Sequence, residues 1–170
     1  GWHALNSFIR PSEKAAQGQT NRATTGMRRL MAIEWNRNLS TGVEWQDRHH
    51  KELFKRISSL LDAMSIGMGK DELDRIFTFL DSYFTVHFDA EEQAMSKYGY
   101  PEIVDHLREH TSFIDQVSAL RREFASGPTS VLVVKVQKLV VDWLINHIGE
   151  SDKRLGTFIL KFETDQHLRD

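Results

Sequence analysis

The chain has 170 residues, enough for one domain with a substantial core and too few for two comfortable ones. A formal net charge of −2, with 40% hydrophobic and 27% charged residues, suits a soluble globular chain and offers no footprint for nucleic acid or anionic lipid. The lack of cysteine removes disulfides, thiolate zinc sites and iron–sulfur clusters together and suits a reducing, cytoplasmic setting.

Residues 1 to about 33 read as an N-terminal arm or linker, because the stretch from Ser12 to Gly26 is polar and small and has no apolar periodicity. A first residue Gly1 in place of Met is expected of an expression scar or of a piece cut from a longer protein. Nothing at this end has the layout of a signal peptide, and no apolar run approaches the roughly 20 residues that cross a bilayer. A helical domain is expected over 34–160, with 161–170 as a C-terminal tail.

Four segments in that domain carry helical spacing of apolar residues. The first places His50, Leu53, Phe54, Ile57, Leu61 and Met64 on one stripe and ends in a glycine-punctuated loop over 65–70. The second, from about Lys70 to Lys97, aligns Leu73, Ile76, Leu80, Phe84, His87, Glu91 and Met95. Gly99-Tyr100-Pro101 stops it, with Gly suited to a left-handed cap and Pro to opening the next helix. The third stripe is Ile103, His106, Leu107, His110, Phe113, Ile114, Val117 and Phe124, closed by Ser126-Gly127-Pro128. The fourth segment, 131–145, is rich in β-branched residues and by propensity could form a strand. Its length and the stripe Val133, Val136, Val140, Trp143, Leu144, His147 favour a helix, with Thr129 or Ser130 as cap. Four helices joined by short loops predict an all-α, antiparallel up-down-up-down bundle.

Every one of these helices carries a histidine on its apolar stripe: His50, His87, His106 with His110, and His147. Residues four apart on a helix stand above one another, so His106 and His110 can face one ion, and Glu91 lies one turn beyond His87. Asp152 follows His147 by five, which on a continuous α-helix swings it roughly 140° away. It reaches the same place only if the helix ends or loosens, which Gly149 would allow. Phase selects His50 over His49, whose stripe carries Glu52 and Arg56, and Glu91 over Glu92.

Taken singly, each residue has an ordinary explanation. A lone histidine on an apolar face is usually a hydrogen-bonded core residue, a lone Glu a solvated helix charge, a lone Asp a helix-end cap. Taken together, five imidazoles and two carboxylates in one small core would leave too many buried polar groups unsatisfied unless metal binds them. Imidazole and carboxylate without thiolate suit iron, manganese or zinc, and seven ligands exceed one tetrahedral zinc. The set predicts a dinuclear site, best fitted by two irons with a bridging oxide or hydroxide. The Glu-x-x-His pairs of ferritin-like di-iron proteins are not present.

With these residues in view, the chain from about Trp35 to Phe158 resembles the hemerythrins, most closely the bacterial hemerythrin domains. The matching motifs are Asp47-Arg-His-His50 with Leu53-Phe54, His87-Phe88-Asp-Ala-Glu91-Glu92, Tyr100-Pro101, His106-x-x-x-His110, and Trp143-Leu144-Ile-Asn-His147-Ile148 with Asp152. The resemblance implies one iron on His106, His110 and His147, another on His50 and His87, and Glu91 and Asp152 bridging them. It implies an open position on the two-histidine iron for O2, lined by Leu53, Phe88, Trp143 and Leu144, with NO, azide or peroxide as alternative ligands. Reversible O2 binding follows, as carrier, store or sensor domain, with no catalytic residue assigned. A place in a longer signalling chain is implied too, because bacterial domains of this family often sit there. The rival implied by the same centre is a di-iron enzyme: a peroxidase, an oxidase or a nitric-oxide-reducing protein. The arm is longer than the family's usual lead-in, and Glu150 is a nearby charge expected to face solvent.

Overall fold

A computed structural model describes residues 33–168. After a 3-10 turn, Arg37–Leu39, the chain forms four helices. The first, α1, is Glu44–Ser65. The second, α2, comprises Gly69–Tyr83, a π-helical stretch Phe84–Phe88 and Asp89–Tyr98. The third, α3, is Ile103–Ala125. The fourth, α4, comprises Ser130–Trp143, a longer π-helical stretch Leu144–Asp152 and Lys153–His167. No strand occurs among the described residues. The arm expected before residue 33 lies outside them.

Short connections force neighbouring helices antiparallel, and side-chain pairs mark the register. Arg121 on α3 pairs with Asp81 on α2, and Lys135 on α4 lies 2.8 Å from Glu123 on α3. At the other end Arg154 reaches Glu102 at 3.0 Å and the Tyr98 hydroxyl donates to Glu163 at 2.7 Å. Exposed pairs of this kind add little stability. The bundle is therefore up-down-up-down, held by a core that includes Leu53, Ile57, Leu60, Leu73, Ile76, Phe77, Leu80, Phe113, Leu132, Val136, Val140, Leu144 and Ile148.

The helix ends follow the chemistry of their residues. Gly99 has φ 68° and ψ 46°, the left-handed cap that costs a residue with a Cβ most, and the following Tyr100 N–H donates to the Met95 carbonyl at 2.9 Å. Thr129 caps α4, its hydroxyl accepting from the Leu132 N–H at 3.0 Å. The β-branched run 131–143 is thus helical: burial of Leu132, Val133, Val136 and Val140 on one face outweighs its strand propensity. The segment expected as a tail after residue 160 is helical through His167, and Phe162 in it packs edge-on against Tyr98 at 5.3 Å.

The helix at Gly149 was expected to end or loosen, and it loosens without ending. The π-helical turn of Leu144–Asp152 supplies the change, since an i→i+5 repeat brings Asp152 beneath His147. Gly149 is not among the glycines with positive φ, and outside its own stretch of helix nothing lies within 4 Å of where its Cβ would be. A glycine is therefore not required there. Gly156 differs: a Cβ would sit 2.7 Å from the Thr41 carbonyl oxygen, and Thr41 is pinned by its N–H to Asp47 Oδ1 at 2.8 Å. We predict that Gly156→Ala destabilises the protein by about 1–3 kcal/mol in chemical denaturation, the range for overpacking. Gly149→Ala should leave it unchanged or slightly more stable.

Candidate metal centre

The five stripe histidines and both carboxylates meet between the four helices, and all seven are buried. They form two groups. Glu91, His106, His110, His147 and Asp152 make one, and His50, His87, Glu91 and Asp152 the other, with donor atoms inside each within 4.8 Å of one another. The two carboxylates belong to both. Asp152 turns Oδ1 toward His147 Nε2 (3.0 Å) and His106 Nε2 (3.4 Å), and Oδ2 toward His50 Nε2 (3.0 Å). Glu91 turns Oε2 toward His110 Nε2 (3.1 Å) and His106 Nε2 (3.3 Å), and Oε1 toward His87 Nε2 (3.4 Å). Each carboxylate therefore gives one oxygen to the three-histidine side and one to the two-histidine side.

Apart from His106 with Glu91, these are not ordinary hydrogen bonds. His50 Nε2, His87 Nε2 and both Asp152 oxygens lack a partner of acceptable geometry among the described residues, although the distances are short. Atoms that close without proper donor angles are aimed at a common point. Neighbouring ligands on an octahedral ion with bonds of about 2.1 Å lie about 3 Å apart, which is the spacing seen here. The residues fit two metal ions.

Charge points the same way. Burial and the nearby Asp152 push Glu91 up, yet His87, His106 and His110 hold its carboxyl well below the usual range. Burial likewise opposes Asp152, and His147, His106 and His50 hold it down. Burial works against charge on His106 and His147, but Asp152 with Glu91, and for His147 also Glu109, lift them to about 9 and about 10. His87, surrounded by less compensation, is pushed by burial to about 3. With protein groups alone, protons on His106 and His147 offset the two buried carboxylates at neutral pH. Bound metal cations would supply that balance in place of the protons.

A further layer of residues holds these side chains. Glu109 accepts from His147 Nδ1 at 2.5 Å and from the Ser151 hydroxyl at 2.7 Å, and Arg154 donates to that hydroxyl at 3.2 Å. His147, first among its contacts, brings Glu109 to about 2. Gln46, fully buried one turn before His50, donates to Glu91 Oε1 at 2.6 Å. Its place on the His50 stripe was the available sequence signal. Glu109 carried none, since it precedes His110 on the flank of α3.

His49 corrects the phase argument. His50 does face the centre, but His49 is also buried, its Nδ1 lying 3.3 Å from His87 Nδ1. Glu52 and Arg56, expected to share a solvent-facing stripe with it, pair with each other at 2.8 Å. The buried face of α1 is wide enough that a 100° step from His50 stays covered. Burial, then His50 and Arg48, push His49 down to about 4, so it is neutral and can accept from His87 Nδ1–H. That tautomer leaves His87 Nε2 free to face the centre. Glu92 is half-buried, 3.8 Å from His110 Nδ1, and Glu150 is exposed, as expected.

Of the expected lining residues, Leu53, Phe88 and Leu144 are buried and Trp143 is half-buried. Phe88 stacks on His110 with centroids 3.8 Å apart, and Trp143 stacks on His147 at 4.2 Å.

A helical bundle with histidine and carboxylate donors shared between two groups defines a protein built to bind non-haem metal. The profile of one family, described as Hemerythrin HHE cation binding domain, matches residues 41–159. The chain belongs to the hemerythrin family. It is 32% identical over 116 residues to a bacteriohemerythrin of Methylococcus capsulatus, covering 68% of this chain and 87% of that protein. Against a bacteriohemerythrin of Pseudomonas aeruginosa the figures are 31% over 120 residues, 71% and 76%. A myohemerythrin of Theromyzon tessulatum is 26% identical over 119 residues, 70% and 87%. Iron binding comes with the family.

We predict that Glu109→Ala weakens ferrous affinity about 10–100-fold in competition with a chelator, the range for losing a carboxylate behind a ligating histidine. The helical spectrum should persist, because Glu109 lies at the edge of the core.

Proposed function

We propose that the chain holds two iron ions and binds O2 reversibly at the two-histidine iron, as an O2 carrier, store or sensor domain. The observation that supports this most is the division of Glu91 and Asp152, one oxygen to each histidine set. With a bridging oxide or hydroxide, His106, His110 and His147 with one oxygen from each carboxylate would fill six positions on one ion, and His50 and His87 with the other two oxygens would leave one position open on the second. A reduced iron pair supplies the two electrons that O2 takes up on binding. The protein's part is to hold that pair dry. Leu53 and Leu144 are wholly buried and Phe88 nearly so, which keeps bulk water from a bound ligand. A bridging oxide or hydroxide, and the binding of azide, NO or peroxide at the same position, fit this reading.

The test is to reduce the iron-loaded protein anaerobically and then admit O2. A visible charge-transfer band that persists, and that vanishes when O2 is removed, is the expected result. Immediate conversion to the ferric form with turnover of added peroxide would sink the carrier and sensor readings and favour the enzyme. Leu144→Asn, which puts an amide into the apolar layer, should shorten the lifetime of that band severalfold.

A further inference from the structure

Antiparallel helices give this centre two unlike ends. One turn after His87 on α2 stands Glu91, after His147 on α4 stands Asp152, and before His50 on α1 stands Gln46. These polar groups share one end, where the carboxylates bridge. At the other end stand the residues one turn the opposite way: Leu53 after His50, Phe113 after His110, Leu144 before His147. All three are fully buried and apolar. The fourth member of that layer, one turn before His87, is Tyr83.

Tyr83 breaks the pattern. Its side chain is 3% exposed, and its hydroxyl has no hydrogen-bond partner among the described residues. Its ring lies against His87 at 4.7 Å and is enclosed by Phe79 at 5.8 Å and Phe88 at 6.1 Å. An unpaired buried hydroxyl is destabilising, and an apolar layer meant only to exclude water would carry Phe there. Of the two histidine sets, Tyr83 stands beside the one with the open position.

The geometry points to Tyr83 as a ligand-binding residue: its hydroxyl donates a hydrogen bond to the small molecule or anion held at the two-histidine iron. This rests on the di-iron reading above. It makes the pocket selective for ligands whose outer atom accepts a hydrogen bond, such as O2 or azide, over ligands that only fill space.

The experiment compares the iron-loaded wild-type chain with Tyr83→Phe, which keeps the ring and its packing. Iron is counted first. If the wild type does not hold two irons, the di-iron reading itself fails. If only the variant loses iron, Tyr83 is a metal ligand and the proposal is overturned. With two irons in both, azide is titrated into the oxidised proteins. The variant should bind azide about tenfold more weakly, the worth of one buried hydrogen bond to an anion. The resonance Raman band of the bound azide should shift between H2O and D2O in the wild type and not in the variant. Equal azide affinities together with equal isotope responses would overturn the assignment and leave Tyr83 as packing.

Discussion

Two carboxylates buried in the middle of a small bundle are the constraint on which the rest of the structure turns. Glu91 and Asp152 are both inaccessible to water, and an isolated charge there would be intolerable. Every helix answers with at least one imidazole. His50, His87, His106, His110 and His147 are the compensation, and their Nε2 atoms converge because the carboxylate oxygens do. The core above and below is ordinary apolar packing that holds this cluster at a fixed height.

That demand accounts for the one irregular stretch of backbone in α4. A regular helix would aim Asp152 away from His147, and the π-helical turn from Leu144 to Asp152 brings it back. The shorter π-helical stretch at Phe84–Phe88 falls at His87. Both departures sit beside the clustered histidines and carboxylates and nowhere else among the described residues. Helical hydrogen bonding is locally rearranged where side-chain direction matters more than regularity.

The centre is also asymmetric in what surrounds it. The three-histidine side is anchored outward through Glu109 and Ser151 and covered by stacked rings, Phe88 on His110 and Trp143 on His147. The two-histidine side is held by a neutral His49 and by Gln46, and it looks onto Tyr83. One side is built for rigidity. The other keeps polar groups close to the place where the proposed function needs a ligand.

Periodicity alone determined the bundle and which histidines face its interior, because a residue's phase on a helix depends only on its number. His50, His87, Glu91, His106, His110 and His147 were legible for that reason, and so were the caps at Gly99 and Thr129. Phase is weaker at the margin of a face, and His49 was misjudged because the covered arc of α1 is wider than its apolar stripe. Contacts across helices lie beyond any one-dimensional reading. That Glu109 meets His147, that Gln46 meets Glu91, and that Asp152 is recovered by a π-helical turn and not by Gly149 were decided in three dimensions. The physical reason is that buried charge is balanced by whichever donors the packed helices bring within reach, and that depends on register between helices as well as on spacing within one.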